Sequence, residues 1–252
     1  MPSEVSSADQ RPAPAHLRAV TFASEAYPTR EHYPFDRPVI QQLHEMEFRS
    51  SITFFIGENG TGKSTVLEAL ARAAGIHIWG ASERGRFKWN PYEGLLHRYM
   101  TLHWVNGLVP GSFFGADLFR NFAESLDEWA AADPGLLKYF GGASLVTQSH
   151  GQSLMSFFCA RYTLRGLYLL DEPETALSPK TQVELLRLLA QYSQQGCAQF
   201  IIATHSPILL ACPGAAILSF DALPVRPMLY ENTEHYQVYK AFLNDPDSFI
   251  FA

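Results

Sequence analysis

The 252-residue sequence is poor in cysteine, in charge and in long apolar runs, and each shortage excludes a class of protein. Its three cysteines (Cys159, Cys197 and Cys212) have no repeating spacing, which excludes a disulfide framework and a zinc site. We expect them to be small core residues of a reduced protein. No apolar run reaches the length of about 20 residues that a membrane-spanning helix needs. The net charge of -6 argues against a strongly basic nucleic-acid-binding protein.

The pattern of residues 1–16 does not predict an export signal. Residues 1–16 contain Ser, Pro, Asp and Glu but no apolar segment, so we expect a disordered lead-in rather than a signal peptide. A single domain over residues 17–252, in the cytoplasm and with no spanning segment of its own, is the expectation that follows. Arg84, Arg86 and Lys88 form a local basic cluster. It leaves nucleic acid open as a partner, with a solvated loop as the plainer explanation.

Apolar runs alternate with amphipathic segments along most of the chain. The runs predict strands at residues 17–22, 52–56, 167–170, 200–203 and 216–220. The other segments predict helices at residues 63–74, 117–132, 152–161 and 179–191, and a loop at residues 110–116. Strands that alternate with helices in this way indicate an α/β fold with a mostly parallel central sheet.

One glycine-rich segment lies between a predicted strand and a predicted helix. It reads Gly57-Glu58-Asn59-Gly60-Thr61-Gly62-Lys63-Ser64-Thr65, which is the spacing and the context of a phosphate-binding P-loop. The glycines let successive backbone N–H groups point inward, and the start of the helix adds a positive dipole. A glycine-rich turn that binds nothing is the alternative. Because a strand and a helix flank the segment, we expect residues 59–65 to bind the phosphates of a nucleoside triphosphate.

Three side chains at the end of this loop have distinct predicted roles. Lys63 is expected to reach the β- and γ-phosphate oxygens as a point charge. The Ser64 hydroxyl is a predicted Mg²⁺ ligand, beside phosphate oxygens and water. Thr65 is placed to donate to the α-phosphate. The cofactors that these residues imply are therefore a nucleoside triphosphate and Mg²⁺.

Two acids follow the apolar run at residues 167–170. A P-loop needs an acidic residue at the end of a neighbouring strand to hold Mg²⁺, and Asp171 meets that need. Glu172 is the next residue, near the point where a water would attack the γ-phosphate, so it is the candidate general base. Two acids that cap a strand end in solvent are the alternative, which the presence of the P-loop weakens.

The surrounding motifs resemble those of ABC-type ATPases. The segment Asp171-Glu172-Pro173-Glu174-Thr175-Ala176-Leu177-Ser178 resembles their Walker B motif and D-loop. Residues 149–153, Ser-His-Gly-Gln-Ser, resemble the signature motif, and residues 203–207, Ala-Thr-His-Ser-Pro, resemble the switch-histidine segment. The resemblance covers roughly residues 48–220. The residues of these motifs are similar to those of the soluble branch of the family, which has SMC-like, RecF-like and OLD-like heads and includes short stand-alone ATPases.

The resemblance implies a sandwich of two heads, with each nucleotide between the P-loop of one head and the signature motif of the other. In this arrangement Ser149, Gly151 and Gln152 would complete the ATP site of a second copy. His205 would bind the γ-phosphate and orient the attacking water, with a buried structural histidine as the alternative. The resemblance also implies a small helical lobe, at approximately residues 90–165.

Some features depart from the family pattern. His150 stands where the signature motif has its first glycine. The Q-loop glutamine is not evident, and by position residues 112–117 would contain it, with Asp117 as a substitute. Tyr33 and Phe35 are candidates to stack on adenine, and either is equally well explained as a core or loop-anchoring aromatic. The tail at residues 230–236 is rich in hydrogen-bonding groups, and suits either a partner-docking element or a plain surface helix.

These observations favour a Mg²⁺-dependent ATPase that forms a homodimer on binding ATP and that drives or regulates an unidentified protein partner. DNA maintenance and defence are the processes that the resemblance suggests. The ATP-binding subunit of a membrane transporter is the alternative, and the missing Q-loop glutamine argues against it. A nucleotide sensor without turnover is a third hypothesis, and the presence of Glu172 and His205 argues against that one.

Overall fold

Two β-sheets and the helices around them make up the part of the chain that the structure describes, a computed structural model covering residues 16–78, 90–140, 142, 144, 146 and 150–250. The strands are β1 (Leu17–Phe22), β2 (Glu45–Glu47), β3 (Ile52–Ile56), β4 (Met100–Trp104), β5 (Gly111–Gly115), β6 (Gly166–Asp171), β7 (Ala198–Ala203), β8 (Ala216–Ser219) and β9 (Arg226–Pro227). The α-helices are α1 (Pro38–Gln42), α2 (Lys63–Ala73), α3 (Ala116–Ala132), α4 (His150–Arg161), α5 (Pro179–Gln194), α6 (Pro207–Leu210), α7 (Glu234–Asn244) and α8 (Asp247–Ile250).

The larger sheet has six strands in the order β5-β6-β7-β3-β8-β9. Every pairing from β5 to β8 is parallel, and only β9 at the edge pairs antiparallel. Each residue of β3 and β7 is buried, as continuous apolar strands are when helices cover both faces of a parallel sheet. The mostly parallel α/β sheet predicted from the sequence is therefore confirmed.

The segment at residues 110–116 was predicted to be a loop, and that prediction is wrong. Gly111–Gly115 forms the edge strand β5, paired in parallel with β6. A glycine at each end of the strand hides the strand pattern, which is limited to buried Phe113 and Phe114. Gly111 is required by close approach, because a Cβ there would lie 2.2 Å from the Leu167 carbonyl oxygen.

The smaller sheet is antiparallel, in the order β2-β1-β4, and it is joined to the larger one by buried hydrogen bonds. The Gln199 side-chain amide in β7 accepts from the Leu17 backbone N–H at 2.7 Å and donates to the Leu17 carbonyl at 2.8 Å. A buried amide that satisfies both backbone groups of one residue fixes the two sheets relative to each other.

Two apolar clusters pack on opposite faces of the larger sheet. One lies between the sheet, α2 and the smaller sheet, and includes Phe35, Phe55 and Leu67. The other lies between the sheet and the helices α3, α4 and α5, and includes Phe54 and Phe158. Within residues 90–165, which were predicted to form a small helical lobe, α3 and α4 are helical, whereas residues 90–115 contribute strands β4 and β5. No helix among the described residues is both long and apolar enough to span a membrane.

The cysteines differ from expectation. All three are free, but Cys159 and Cys197 are exposed and only Cys212 is buried. Cys159 lies on α4 and Cys197 directly precedes β7, and neither belongs to an apolar cluster. The prediction that all three are core residues is therefore wrong for two of them.

Candidate functional site

The P-loop connects β3 to α2, as the sequence predicts. Gly57, Gly60 and Gly62 have φ values of 141°, 82° and 105°, in the region that favours glycine. At Gly57 the restriction is also steric, because a Cβ would lie 2.9 Å from Asp221 Oδ1. The same carboxylate oxygen accepts from the Glu58 backbone N–H at 2.7 Å. Asp221, which follows β8, therefore holds the start of the loop, a role that its sequence position did not reveal.

Lys63 begins α2 and is buried under the loop. Its Nζ donates to the Gly57 carbonyl at 2.6 Å and to the Glu58 carbonyl at 2.9 Å. Burial lowers the pKa of Lys63, and the nearby carboxylates of Glu172 and Asp221 oppose that shift. The ammonium group thus lies on the inner side of the loop, while Asn59 and Gly60 at the loop tip are exposed.

Ser64 and Asp171 meet at the end of β6. The Ser64 hydroxyl donates to Asp171 Oδ1 at 2.9 Å, although the two residues are 107 positions apart. Burial, the largest cause, and the neighbouring acids Glu172 and Glu68 together raise the pKa of Asp171 to about 7, against the lowering effect of Ser64 and Lys63. A cation placed beside this buried carboxylate would stabilise its charged form and lower its pKa.

A hydroxyl and a carboxylate are oxygen ligands of the kind that Mg²⁺ binds. Among the described residues no group of three or more His, Cys, Asp or Glu side chains forms a metal site. Mg²⁺ commonly takes only one or two protein ligands and completes its shell with phosphate oxygens and water. The donor set at Ser64 and Asp171 therefore fits Mg²⁺ that arrives with a triphosphate.

Glu172 has an unusual backbone. Its φ of 45° is the one positive value found at a non-glycine residue in the described part of the chain. Such a conformation costs about 1–3 kcal/mol and is kept where the surrounding structure enforces it. Here the Glu172 N–H donates to the Ala203 carbonyl at 2.9 Å, and the Thr175 hydroxyl donates to the Glu172 carbonyl at 2.8 Å. These bonds aim the Glu172 side chain toward the end of β7.

His205 lies opposite Glu172, two residues after β7. Its Nε2 is 3.7 Å from Glu172 Oε1, and its Nδ1 is 3.1 Å from Nε2 of His235. Its backbone N–H donates to Oε1 of Glu174 at 2.5 Å. Burial lowers the pKa of His205, and Lys63 and His235 lower it further, which favours a neutral imidazole.

Glu174 and His235 are residues to which the sequence analysis gave no role. Glu174 belongs to a quoted motif, so its position was visible, but nothing in the motif shows that it accepts the His205 N–H. His235 lies in the tail noted for its hydrogen-bonding groups. No spacing rule connects that tail to His205, 30 residues earlier.

The predicted signature motif is described only in part. Ser149 lies outside the described residues, as does the basic cluster at residues 84–88. Gly151 is the second residue of α4, and Gln152, the next one, is exposed. A Cβ at Gly151 would lie 3.9 Å from the Thr181 hydroxyl on α5, so the start of α4 packs beside the start of α5.

The two candidates for adenine stacking differ sharply. Phe35 is fully buried and packs against Tyr27, with ring centroids 4.8 Å apart, so it is a core residue. Tyr33 is half-buried, and its hydroxyl forms a hydrogen bond with the Thr65 hydroxyl at 2.8 Å. Only Tyr33 remains a candidate. Of the Q-loop candidates, Asp117 is the second residue of α3, on the carboxyl side of β5.

Comparisons with known proteins agree with these motifs. Residues 135–211 match the family described as "AAA domain, putative AbiEii toxin, Type IV TA system", and residues 37–86 match a second AAA-domain family. The thiamine import ATP-binding protein ThiQ of Haemophilus influenzae is 31% identical over 166 residues, covering 60% of this chain and 74% of that protein.

Two solved structures are also similar. One is an inward-facing putative metal-chelate type ABC transporter, which covers 88% of each chain at 18% identity with a TM-score of 0.50. At this identity the likeness concerns the fold alone. The other is the SMC head domain from Thermotoga maritima, at 16% identity over 84% of this chain and 99% of that one, with a TM-score of 0.45.

Proposed function

We propose that this chain, which belongs to the ABC-type family of P-loop ATPases, binds ATP with Mg²⁺ and hydrolyses it. The observation that carries the proposal is the meeting of two side-chain pairs at the carboxyl edge of one sheet. Ser64 and Asp171 form the first pair, and Glu172 and His205 form the second. The first offers oxygen ligands to a cation, and the second flanks the place where a water would attack.

In this proposal the P-loop binds the phosphates of ATP. Backbone N–H groups of residues 59–65 and the start of α2 bind the β- and γ-phosphates, and Lys63 adds its charge after it leaves the Gly57 and Glu58 carbonyls. Thr65 binds near the α-phosphate. Mg²⁺, held by Ser64 and Asp171, would neutralise charge on the β- and γ-phosphate oxygens.

In this proposal Glu172 and His205 promote the hydrolysis of ATP. Glu172 accepts a proton from the attacking water, or orients that water, as a general base does. Because burial lowers the pKa of His205, the neutral imidazole is favoured, and with its proton on Nε2 it can donate a hydrogen bond to the γ-phosphate while the water lies toward Glu172. The strained backbone of Glu172 keeps its carboxylate on the His205 side.

The site is completed by a second copy of the chain in this proposal. Ser149, Gly151 and Gln152 would bind the γ-phosphate of the partner's ATP, and the start of α4 would add its dipole. In support, Gly151 packs beside Thr181 at the start of α5, and Gln152 is exposed there. ATP would close the dimer and hydrolysis would reopen it. The motion would serve a protein partner of the cytoplasm, in DNA maintenance or defence.

Glu172→Gln tests hydrolysis and dimer formation together. The amide cannot accept the proton, so turnover falls by about 100-fold or more. ATP binding is kept, and an ATP-bound dimer accumulates. Phosphate release, calorimetry and light scattering measure the three quantities, with Glu45→Gln on the exposed face of β2 as the matched control. Turnover close to wild type would remove Glu172 from the chemistry, and a monomer at saturating ATP would refute the sandwich.

A second candidate function is the ATP-binding subunit of a membrane importer, favoured by the likeness to ThiQ. The two candidates predict different partners for the ATP-bound state. Native cells that express Glu172→Gln would be lysed with ATP, and proteins that co-purify would be identified, with Lys63→Ala as the control. Recovery of a membrane permease would establish the importer. Recovery of a soluble partner without a permease would favour the first candidate, an ATPase that serves a partner in the cytoplasm.

A further inference from the structure

The segment after β9 returns to the loop that carries His205. The Tyr230 hydroxyl donates to the Pro207 carbonyl at 3.0 Å, two residues after His205. Thr233 is fully buried; its hydroxyl donates to the Tyr230 carbonyl at 2.7 Å and accepts from the Tyr236 N–H, and thus caps α7. These contacts alone therefore fix the first turn of α7 beside the switch-histidine loop, without any contribution from His235.

His235 adds a second attachment at the site itself. Its Nε2 lies 3.1 Å from Nδ1 of His205, with the ring centroids 5.2 Å apart. The other nitrogen of each ring, His205 Nε2 and His235 Nδ1, is buried and has no hydrogen-bond partner in the structure. The contact between the two rings is thus the hydrogen bond that orients both of them.

The charges around the two rings favour neutral imidazoles. Burial lowers the pKa of His235, as it does for His205, and Lys63 acts in the same direction on both. Acidic groups oppose this: Glu234 and Asp221 face His235, Glu172 faces His205, and Glu58 acts on both. With both rings neutral, one nitrogen of the contact carries the proton and the other accepts it.

The surroundings of His205 indicate which ring donates. Its Nε2 faces the Glu172 carboxylate, an acceptor-only group, across 3.7 Å. A proton on Nε2 is attracted to that carboxylate, whereas a bare lone pair there would be repelled. A neutral histidine with its proton on Nε2 must accept at Nδ1. The His235 Nε2–H is the donor that this arrangement requires.

We propose that His235 is a positioning residue, which donates to His205 Nδ1 and thereby holds the proton of His205 on Nε2, facing the γ-phosphate. The inference rests on the proposed hydrolysis, because only a transferred γ-phosphate gives that proton a task. It makes the first turn of α7 part of the hydrolytic site. His235 itself touches neither nucleotide nor water in this scheme.

Three variants separate the hydrogen bond from packing. His235→Phe keeps the ring and removes the donor, whereas His235→Gln keeps a donor near the position of Nε2. Gln237→Ala, on the exposed side of the same helical turn, is the control. We expect His235→Phe to lower kcat by about 10- to 100-fold, the size seen when a ligand histidine loses its orienting partner. KM and ATP affinity stay within about twofold, and His235→Gln recovers most of the loss.

Side-chain ¹⁵N shifts of the histidines give a readout that needs no turnover. The wild-type protein is expected to show His205 protonated on Nε2, and His235→Phe is expected to lose that preference. The role of His235 would be refuted if His235→Phe kept the turnover of the wild type, or if the His205 tautomer were unchanged in that variant. Absence of turnover in the wild type would refute the proposed hydrolysis instead, while the ¹⁵N shifts would still report on the contact.

Discussion

The two sides of the candidate site are built in different ways. The phosphate side consists of consecutive residues 57–65, whose backbone N–H groups, glycine conformations and helix start would do most of the binding in the proposed function. The water side consists of side chains from three separate segments: Glu172 with Glu174, then His205, then His235. A phosphate site can therefore be contained in one stretch of sequence, whereas the placement of an attacking water depends on tertiary contacts.

The difference extends to how well the polar groups are satisfied. On the phosphate side, the Lys63 ammonium, the Ser64 hydroxyl and the Glu58 N–H all have hydrogen-bond partners. On the water side, His205 Nε2 and His235 Nδ1 are buried without one. A buried polar group without a partner costs about 1–3 kcal/mol. A ligand contact to His205 Nε2 thus gains more per hydrogen bond than a contact to Lys63 on the phosphate side, where existing bonds must first break.

The largest expected effect comes from the phosphate side. Lys63→Ala removes the one side chain of the loop that brings a full positive charge to the phosphates. The two charge-assisted hydrogen bonds that Lys63 makes to the β- and γ-phosphates in the proposed function are lost with it. We expect the Kd for ATP, measured by calorimetry, to rise by about 100-fold or more, since each such bond contributes about 1.5–3 kcal/mol.

The control for this change is Lys138→Ala, which removes an exposed lysine far along the chain. Its ATP affinity is expected to equal that of the wild type. Thermal unfolding of Lys63→Ala is expected to change little or to improve, because a lysine whose pKa is lowered by burial is not a source of stability. Unchanged ATP affinity in Lys63→Ala would overturn the assignment of the P-loop.

A smaller effect is expected from Glu174 on the water side. Glu174→Ala leaves the His205 backbone N–H without its acceptor, which destabilises the protein by about 1–3 kcal/mol and lowers kcat because His205 loses its anchor. Glu174→Gln keeps an acceptor oxygen, and since burial raises the pKa of Glu174, removal of its charge costs little. Denaturant unfolding and steady-state kinetics measure both quantities.

The contrast between these two variants is the test. If Glu174→Gln lost as much stability and kcat as Glu174→Ala, the charge rather than the hydrogen bond to His205 would be the active feature. If both variants resembled the wild type, His205 would be held by His235 and the strand end alone.

The contrast between the phosphate side and the water side also explains which features were predictable from the sequence. Strands β3, β6, β7 and β8 were predictable because burial on both faces makes them continuous apolar runs. The pairing of Ser64 with Asp171 was predictable because parallel strands bring their carboxyl ends to one edge. Both inferences need only local patterns and the geometry of a parallel sheet.

The errors have a common cause in tertiary packing. β5 was missed because the glycine at its start, Gly111, is set by close approach to β6, which no local pattern encodes. The role of Phe35 was left open, and Cys159 and Cys197 were misjudged, because an apolar or small residue is equally compatible with a core, a binding site or a surface position. His235 was missed because its partner is 30 residues away and follows no motif.

The smallest expected effect concerns Tyr33, the remaining aromatic candidate beside the phosphate side. Tyr33→Phe keeps the ring and removes the hydroxyl that bonds to Thr65, so ATP affinity should fall by at most about tenfold, in line with one neutral hydrogen bond. Tyr33→Ala also removes the ring, and a stacked base loses about 1–3 kcal/mol when its aromatic partner is replaced by alanine.

Inorganic triphosphate separates stacking from anchoring of the loop, because it presents phosphates without a base. If Tyr33 stacks on adenine, Tyr33→Ala weakens ATP binding and leaves triphosphate binding unchanged in parallel calorimetric titrations. If Tyr33 only anchors Thr65, both ligands weaken by the same factor, and Tyr33→Phe shows that factor too. The second outcome would assign Tyr33 to the loop and would leave the phosphate side as a triphosphate site whose base contact lies elsewhere in the chain.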